Sequence, residues 1–230
     1  MTLFLETDSL PVTAWEGYLE PLGEALRGGG PLPRVSLGEP ATWNVAAALQ
    51  SELGKTWTPP DPALVYTLIR LSCTLHPPND RGSRYTEVRL DAPLRVLNGP
   101  GQALAHDLFP MQQTVQDTGK IAVGLNPKLK FAKAIDVELL EVGVEKNYAA
   151  TFPVVQAYGL GEANPYWLFR DHDQFPLQGS QKVYLLAAAP PDARLRLHLR
   201  LAAAVKPRRW DIVRYGLPPT AVTRLTFDIQ

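Results

Sequence analysis

"RLRLHLRLAAAV", residues 194–205, alternates apolar and polar side chains without a slip from Arg194 to Leu201. Leu195, Leu197, Leu199, Leu201, Ala203 and Val205 fall on one side, and Arg194, Arg196, His198 and Arg200 on the other. A period of two marks a strand with one face in a core. The leucine row needs that core. The cationic row, about 20 Å long at roughly 3.3 Å per residue, needs a different explanation.

The same period recurs on both sides of this stretch. In "VYTLIRLSCTLH" (65–76), Val65, Thr67, Ile69, Leu71, Cys73 and Leu75 share one face, and Tyr66, Leu68, Arg70, Ser72, Thr74 and His76 the other. This predicts a long strand with one buried face. After the turn signal "PPNDRGS", "RYTEVRL" returns as a strand, so residues 64–90 read as a hairpin. A loop-rich stretch with a turn at "QALAHDLF" (102–109) follows. "KIAVGL", "IDVELLEVGVE", "YAATFPVV", "YWLFR" and "KVYLLAAA" read as further strands, and "TRLTFDI" (223–229) closes the chain. "KVYLLAAA" and "RLRLHLRLAAAV", joined by "PPDA", read as a second hairpin.

The first 60 residues differ. "TAWEGYLEPLGEALRGGG" (13–30) predicts a helix. Thr13 and Glu16 have capping-box spacing, and Trp15, Tyr18, Leu19, Leu22 and Leu26 recur at helical intervals. "TWNVAAALQSELGK" (42–55) predicts a second helix, capped by Thr42 and closed by Gly54. The chain holds 22 prolines in 230 residues, nearly twice the usual share of about 5%, clustered in short breaks between elements. Short strands and rigid turns point to an all-β fold, mainly an antiparallel β-sandwich, with one or two short N-terminal helices. We expect a single domain over 1–230, in which a helical part (1–60) packs on the sandwich (61–230).

Lysine plus arginine and aspartate plus glutamate balance at 23 each. No whole-molecule field therefore draws the chain to nucleic acid or to a membrane surface, and any electrostatic specialisation is local. The single cysteine, Cys73, rules out an intramolecular disulfide and a cysteine metal cluster, which fits a reducing, cytoplasmic setting. No segment has the roughly 20 apolar residues of a membrane helix, and the N-terminus lacks a signal-peptide pattern.

Strong catalytic and nucleotide-binding motifs are absent. "YGLGEANP" (158–165) has two glycines but Asn164 where a third belongs, and reads as a surface turn. Ser180 in "QGSQ" reads as part of a strand entry. In "RDHDQF" (170–175), His172 lies between Asp171 and Asp173, the residue types of a metal site or an oriented base. On an extended segment both aspartates point away from the histidine, so the sequence favours a polar turn. The aromatics of "NPYWLFRDHDQF" are expected to send Trp167 and Phe169 into the core. His106-Asp107 reads as a polar loop.

The basic comb therefore carries the functional reading. Arg194, Arg196, His198 and Arg200, extended by Lys206, Arg208, Arg209 and the ring of Trp210, form a candidate partner- or phosphate-binding row. Arginine forks suit carboxylates and phosphates alike. A structural alternative pairs the row with the acidic stretch Asp136, Glu138, Glu141 and Glu145. We expect a non-catalytic interaction or scaffolding module that engages a protein partner or a copy of itself, with no cofactor, no bound metal and no membrane. The alternatives are a nucleic-acid or phosphate-binding accessory protein using 194–214, and a hydrolase or metal enzyme around His172.

Overall fold

The computed structural model describes residues 12–23, 32–47, 58–79, 82–116, 121–124, 151–207 and 212–229. Strand β1 is Thr13–Tyr18, β2 Glu20–Pro21, β3 Arg34–Gly38, β4 Ala41–Asn44, β5 Val65–Leu75, β6 Arg84–Asp91, β7 Leu94–Val96, β8 Leu104–Phe109 and β9 Gln112–Gln116. They are followed by β10 Ile121–Gly124, β11 Thr151–Tyr158, β12 Tyr166–Arg170, β13 Gly179–Ala189, β14 Leu195–His198, β15 Arg200–Lys206 and β16 Val213–Gly216. A six-residue helix α1, Pro219–Arg224, precedes β17, Thr226–Ile229.

These strands build three sheets in which every paired strand is antiparallel to its neighbour. One six-stranded sheet runs β1-β3-β5-β13-β8, with β4 sharing the edge of β5 that β3 occupies further along. An eight-stranded sheet runs β10-β9-β11-β12-β6-β15-β16-β2, and a small sheet runs β17-β14-β7. One apolar cluster joins all three. Ile69, Leu71, Val183 and Leu185 come from the first sheet, Val88, Trp167, Phe169 and Leu201 from the second, and Leu94, Leu195, Leu197 and Ile229 from the third. The architecture is an all-β sandwich whose end is closed by the small sheet and α1. Among the described residues, no helix is long and apolar enough to cross a membrane.

The leucine row of 194–205 has the phase its alternation predicts: Leu195, Leu197, Leu199, Leu201, Ala203 and Val205 are all buried. It is not one strand, however. It breaks at Leu199, whose N–H donates to the carbonyl of Leu225, while the N–H of His198 donates to Pro93. Residues before the break pair in the small sheet, and residues after it pair with β6 and β16.

Several sequence expectations are corrected. Residues 13–18 form a strand, not a helix. Trp15 and Leu19 are four apart, a spacing that satisfies period two as well as a helical turn, and both are buried. Gly17 lies between them because a Cβ there would fall 2.7 Å from the Trp15 ring. The predicted second helix starts late. Thr42 lies in β4, and Asn44 caps a helical turn at 45–47 by accepting the N–H of Ala47 at 3.1 Å. The rest of that stretch lies outside the described residues, as does "IDVELLEVGVE".

Neither predicted hairpin forms. Strand β5 has β13 on one edge and β3 with β4 on the other, while β6 sits in the opposite sheet between β12 and β15. The turn at 76–83 is thus an arch between sheets. "PPDA" is a second arch, from β13 to β14. Strand β5 is also buried on both faces, Arg70 and Ser72 included, so its second face does not meet solvent as the alternation predicts. Residues 104–109, expected as a turn, form β8, which pairs with β13 and carries His106 and Asp107 within a strand.

Candidate anion-binding cleft

The small sheet places charge in a particular order. Arg196 of β14 lies directly opposite Arg95 of β7 on one side and Asp228 of β17 on the other. Each strand alternates, so these three side chains share the outward face while Leu94, Leu195, Leu197 and Ile229 take the core. Like charges directly opposite on a sheet repel. Asp228 offsets half of that repulsion: Arg196 donates to it twice, Nε to Oδ1 at 2.7 Å and Nη2 to Oδ2 at 3.0 Å. That side-on fork holds the Asp228 carboxyl below the usual carboxylate range and leaves Nη1 of Arg196 outside the pair.

One register step along, His198 lies opposite Thr226, with Nδ1 3.0 Å from the hydroxyl oxygen. That hydroxyl in turn donates to the carbonyl of Val222 at 3.2 Å. One assignment satisfies both bonds: His198 donates through Nδ1–H and keeps Nε2 as a bare acceptor when neutral. Partial burial first, then Arg95, Arg196 and Arg200, press the imidazole pKa below its ordinary value, with Asp228 opposing them. The ring is therefore neutral near pH 7.

After the break at Leu199 the chain presents Arg200. Its register partner in β6 is Asp91, but the Asp91 carboxylate is taken by Arg89, whose Nε donates to Oδ1 at 2.8 Å. Arg95, Arg196, His198, Arg200 and Asp228 line one open cleft of about 840 Å³, floored by Pro93 and edged by Thr223 of α1 and by Asn164. Asn164 arrives on the β11–β12 turn, where Gly159 and Gly161 adopt φ of +83° and +78°. The turn is tied back by hydrogen bonds from Ala105 to Glu162 and from Leu94 to Ala163. Among the described residues three guanidinium groups thus meet one carboxylate, an excess of two positive charges. Neither Arg95 nor Arg200 has an ion-pair partner among the described residues.

The candidate row is only partly assembled here. Arg196, His198 and Arg200 enter the cleft. The backbone N–H of Arg194 is held by Asn98 at 2.5 Å, outside the cleft lining. Lys206 is exposed at the far end of β15, six residues from Arg200. Arg208, Arg209 and Trp210 lie outside the described residues. Among the described residues the acidic neighbour of the row is Asp228; the acidic stretch 136–145 lies outside the described residues. Arg95, Asn164 and Asp228 escaped the sequence reading. Asp228 alternates outward in "TFDI" and Arg95 in "LRV", but nothing in either stretch gives its pairing partner.

"DHD" is a turn. Asp171 accepts the N–H of Leu177 at 2.8 Å, and Arg84 bridges Asp171 and Asp173 at 3.4 and 3.0 Å. Nδ1 of His172 accepts the N–H of Gln174 at 3.3 Å, and its ring packs against Phe152. Among the described residues no three His, Cys, Asp or Glu side chains gather as metal ligands would. Trp167 and Phe169 are buried, as their alternation requires, while Tyr166 stacks on Tyr158 at 4.8 Å on the outer face under the guanidinium of Arg89.

No protein-family model and no curated protein matches the chain. Among solved structures it is similar to a chain described as a pore forming protein, with 9% identity, 86% of this chain and 89% of that chain covered, and a TM-score of 0.28. A similarity this slight carries no argument about activity.

Proposed function

We propose that the protein is a non-catalytic interaction module that docks an acidic segment of a partner protein in the arginine cleft. The observation that carries this reading is the charge count of one site: Arg95, Arg196 and Arg200 converge on a cleft whose one carboxylate among the described residues is Asp228. Forks without partners on an open strand face match carboxylates by geometry as well as by sign. The cleft is open to solvent, which suits a side chain carried on an extended segment better than an enclosed small molecule.

The test is fluorescence anisotropy with a labelled twelve-residue peptide rich in aspartate and glutamate, beside single- and double-stranded oligonucleotides of equal charge. The peptide is expected to bind with an affinity that falls as salt rises. Arg95→Glu combined with Arg200→Glu is expected to weaken it by about tenfold per arginine. Lys206→Glu, on the same sheet face but remote from the cleft, is expected to leave it unchanged. Equal loss in the Lys206 variant would reduce the site to a diffuse basic face, and tighter binding of the oligonucleotides would transfer the site to nucleic acid.

A further inference from the structure

The cleft is over-provided for a carboxylate. A carboxylate has two oxygens and one charge. The lining offers the forks of Arg95 and Arg200, the remaining N–H groups of Arg196, the amide of Asn164 and the hydroxyl of Thr223, around an excess of two positive charges. Resting on the docking reading above, we propose that the group this cleft selects is a dianionic phosphoryl group, borne on a phosphorylated serine or threonine of the partner, in preference to a carboxylate. Three terminal oxygens and a charge near −2 match the donors and the charge count together. A nucleic-acid phosphodiester carries one charge per phosphate and matches only half of it.

His198 adds a second, independent feature. Its Nδ1 is committed to Thr226, and Thr226 to Val222, so the ring is fixed and its only variable atom is Nε2. The charged groups that act on the ring are Arg95 from β7, Arg196 from its own strand, Arg200 from β15 and Asp228 from β17, while α1 contributes only Val222 and Thr223 to the cleft. Without a bound anion, partial burial first and then the cations, against the one carboxylate among the described residues, hold the imidazole pKa below its ordinary value. A dianion reverses that balance. The ring then takes one proton from solvent onto Nε2 and becomes a further donor to the phosphoryl oxygens. Binding is therefore coupled to proton uptake and strengthens as pH falls from 7.5 toward 6. Below about 6 the phosphoryl group itself protonates and the gain reverses.

Calorimetric titration at pH 7 in two buffers of different ionisation enthalpy reads both features. The probes are an acidic peptide with a central phosphoserine, the same peptide with aspartate in its place, and inorganic phosphate. The phosphopeptide is expected to bind at least tenfold tighter than the aspartate peptide and to take up a proton in doing so. In His198→Asn, whose amide can keep the bond to Thr226, the proton uptake is expected to vanish and the phosphopeptide affinity to fall several-fold. Arg95→Lys, which keeps the charge but loses the fork, checks that a loss is not one of folding. It is expected to weaken the phosphopeptide more than the aspartate peptide. Equal affinities for the two peptides, or phosphopeptide binding without proton uptake, would overturn the phosphoryl assignment and leave the docking reading standing. Inorganic phosphate binding as tightly as the phosphopeptide would overturn the partner as its source, and no binding of either peptide would overturn both readings.

Discussion

Asp107 is a carboxylic acid placed where burial opposes its charge. It sits buried in β8, with one carboxylate oxygen accepting the N–H of Leu108 at 2.7 Å. Burial outweighs that bond and pushes its pKa up to about 6. A folded pKa above the unfolded value of about 3.9 favours the neutral form, so stability is highest below pH 4, falls between 4 and 6, and stays lowered above that. The penalty at pH 7 is about 3 kcal/mol at most. Asp107→Asn keeps an acceptor for Leu108 without the charge. Its thermal midpoint is expected to rise at pH 7.5 and to match wild type at pH 4. An unchanged midpoint at both values would show that the carboxylate is already compensated. His198 shows the same principle with the opposite sign of charge. Its lowered pKa adds stability above the unfolded value of about 6.5 that is lost as pH falls. Neither effect is visible in sequence, where His106-Asp107 looks like a polar loop. Only the pairing of β8 with β13 buries the carboxyl.

At the scale of elements, the small sheet is the part on which the cleft depends. Leu197 is fully buried in β14, one residue from Arg196 and one from His198. Leu197→Asp places an unpaired charge beneath both and is expected to cost roughly 4 kcal/mol or more. Near-unchanged denaturant unfolding of that variant would mean the strand has the opposite phase. The phase itself was legible in the alternation of residues 194–205, as it was in β6 and β12, because side chains that alternate across a strand leave a period of two; β5 and β13 were legible as strands, but both of their faces are buried. Pairing was not legible. "PPNDRGS" and "PPDA" carry the same proline and polar residues whether they fold a hairpin or an arch. The choice rests on which strands already hold both edges of β5 and β13. The break at Leu199 is hidden for a related reason. Its N–H bonds to Leu225, twenty-six residues away, without disturbing the inward direction of the leucine. Trp15 and Leu19 misled because a spacing of four fits both periods, and the sheet partner β3 decided between them.

At the scale of the whole molecule, balanced charge conceals local imbalance. The chain carries 23 basic and 23 acidic side chains. On the outer faces many of them pair with neighbours, as in Arg34 with Glu16, Arg89 with Asp91, Arg84 with Asp171 and Asp173, and Arg196 with Asp228. Among the described residues Arg95 and Arg200, where β7, β14 and the start of β15 meet, have no such partner. There β7 and the 194–205 stretch, distant from it in sequence, bring Arg95, Arg196 and Arg200 together. The comb of residues 194–200 marked this place, but only the fold adds Arg95, withdraws part of the charge through Asp228 and leaves the rest facing solvent. The most direct test of this account is a titration of the isotopically labelled protein with the acidic peptide, followed in the arginine Nε–H and histidine ring resonances. The predicted result is a saturable shift of Arg95, Arg196, Arg200 and His198, with Arg84, Arg170 and His172 unmoved. Shifts centred on the Arg84–Asp171 turn, or no saturable shift at peptide concentrations on the order of 1 mM, would contradict it.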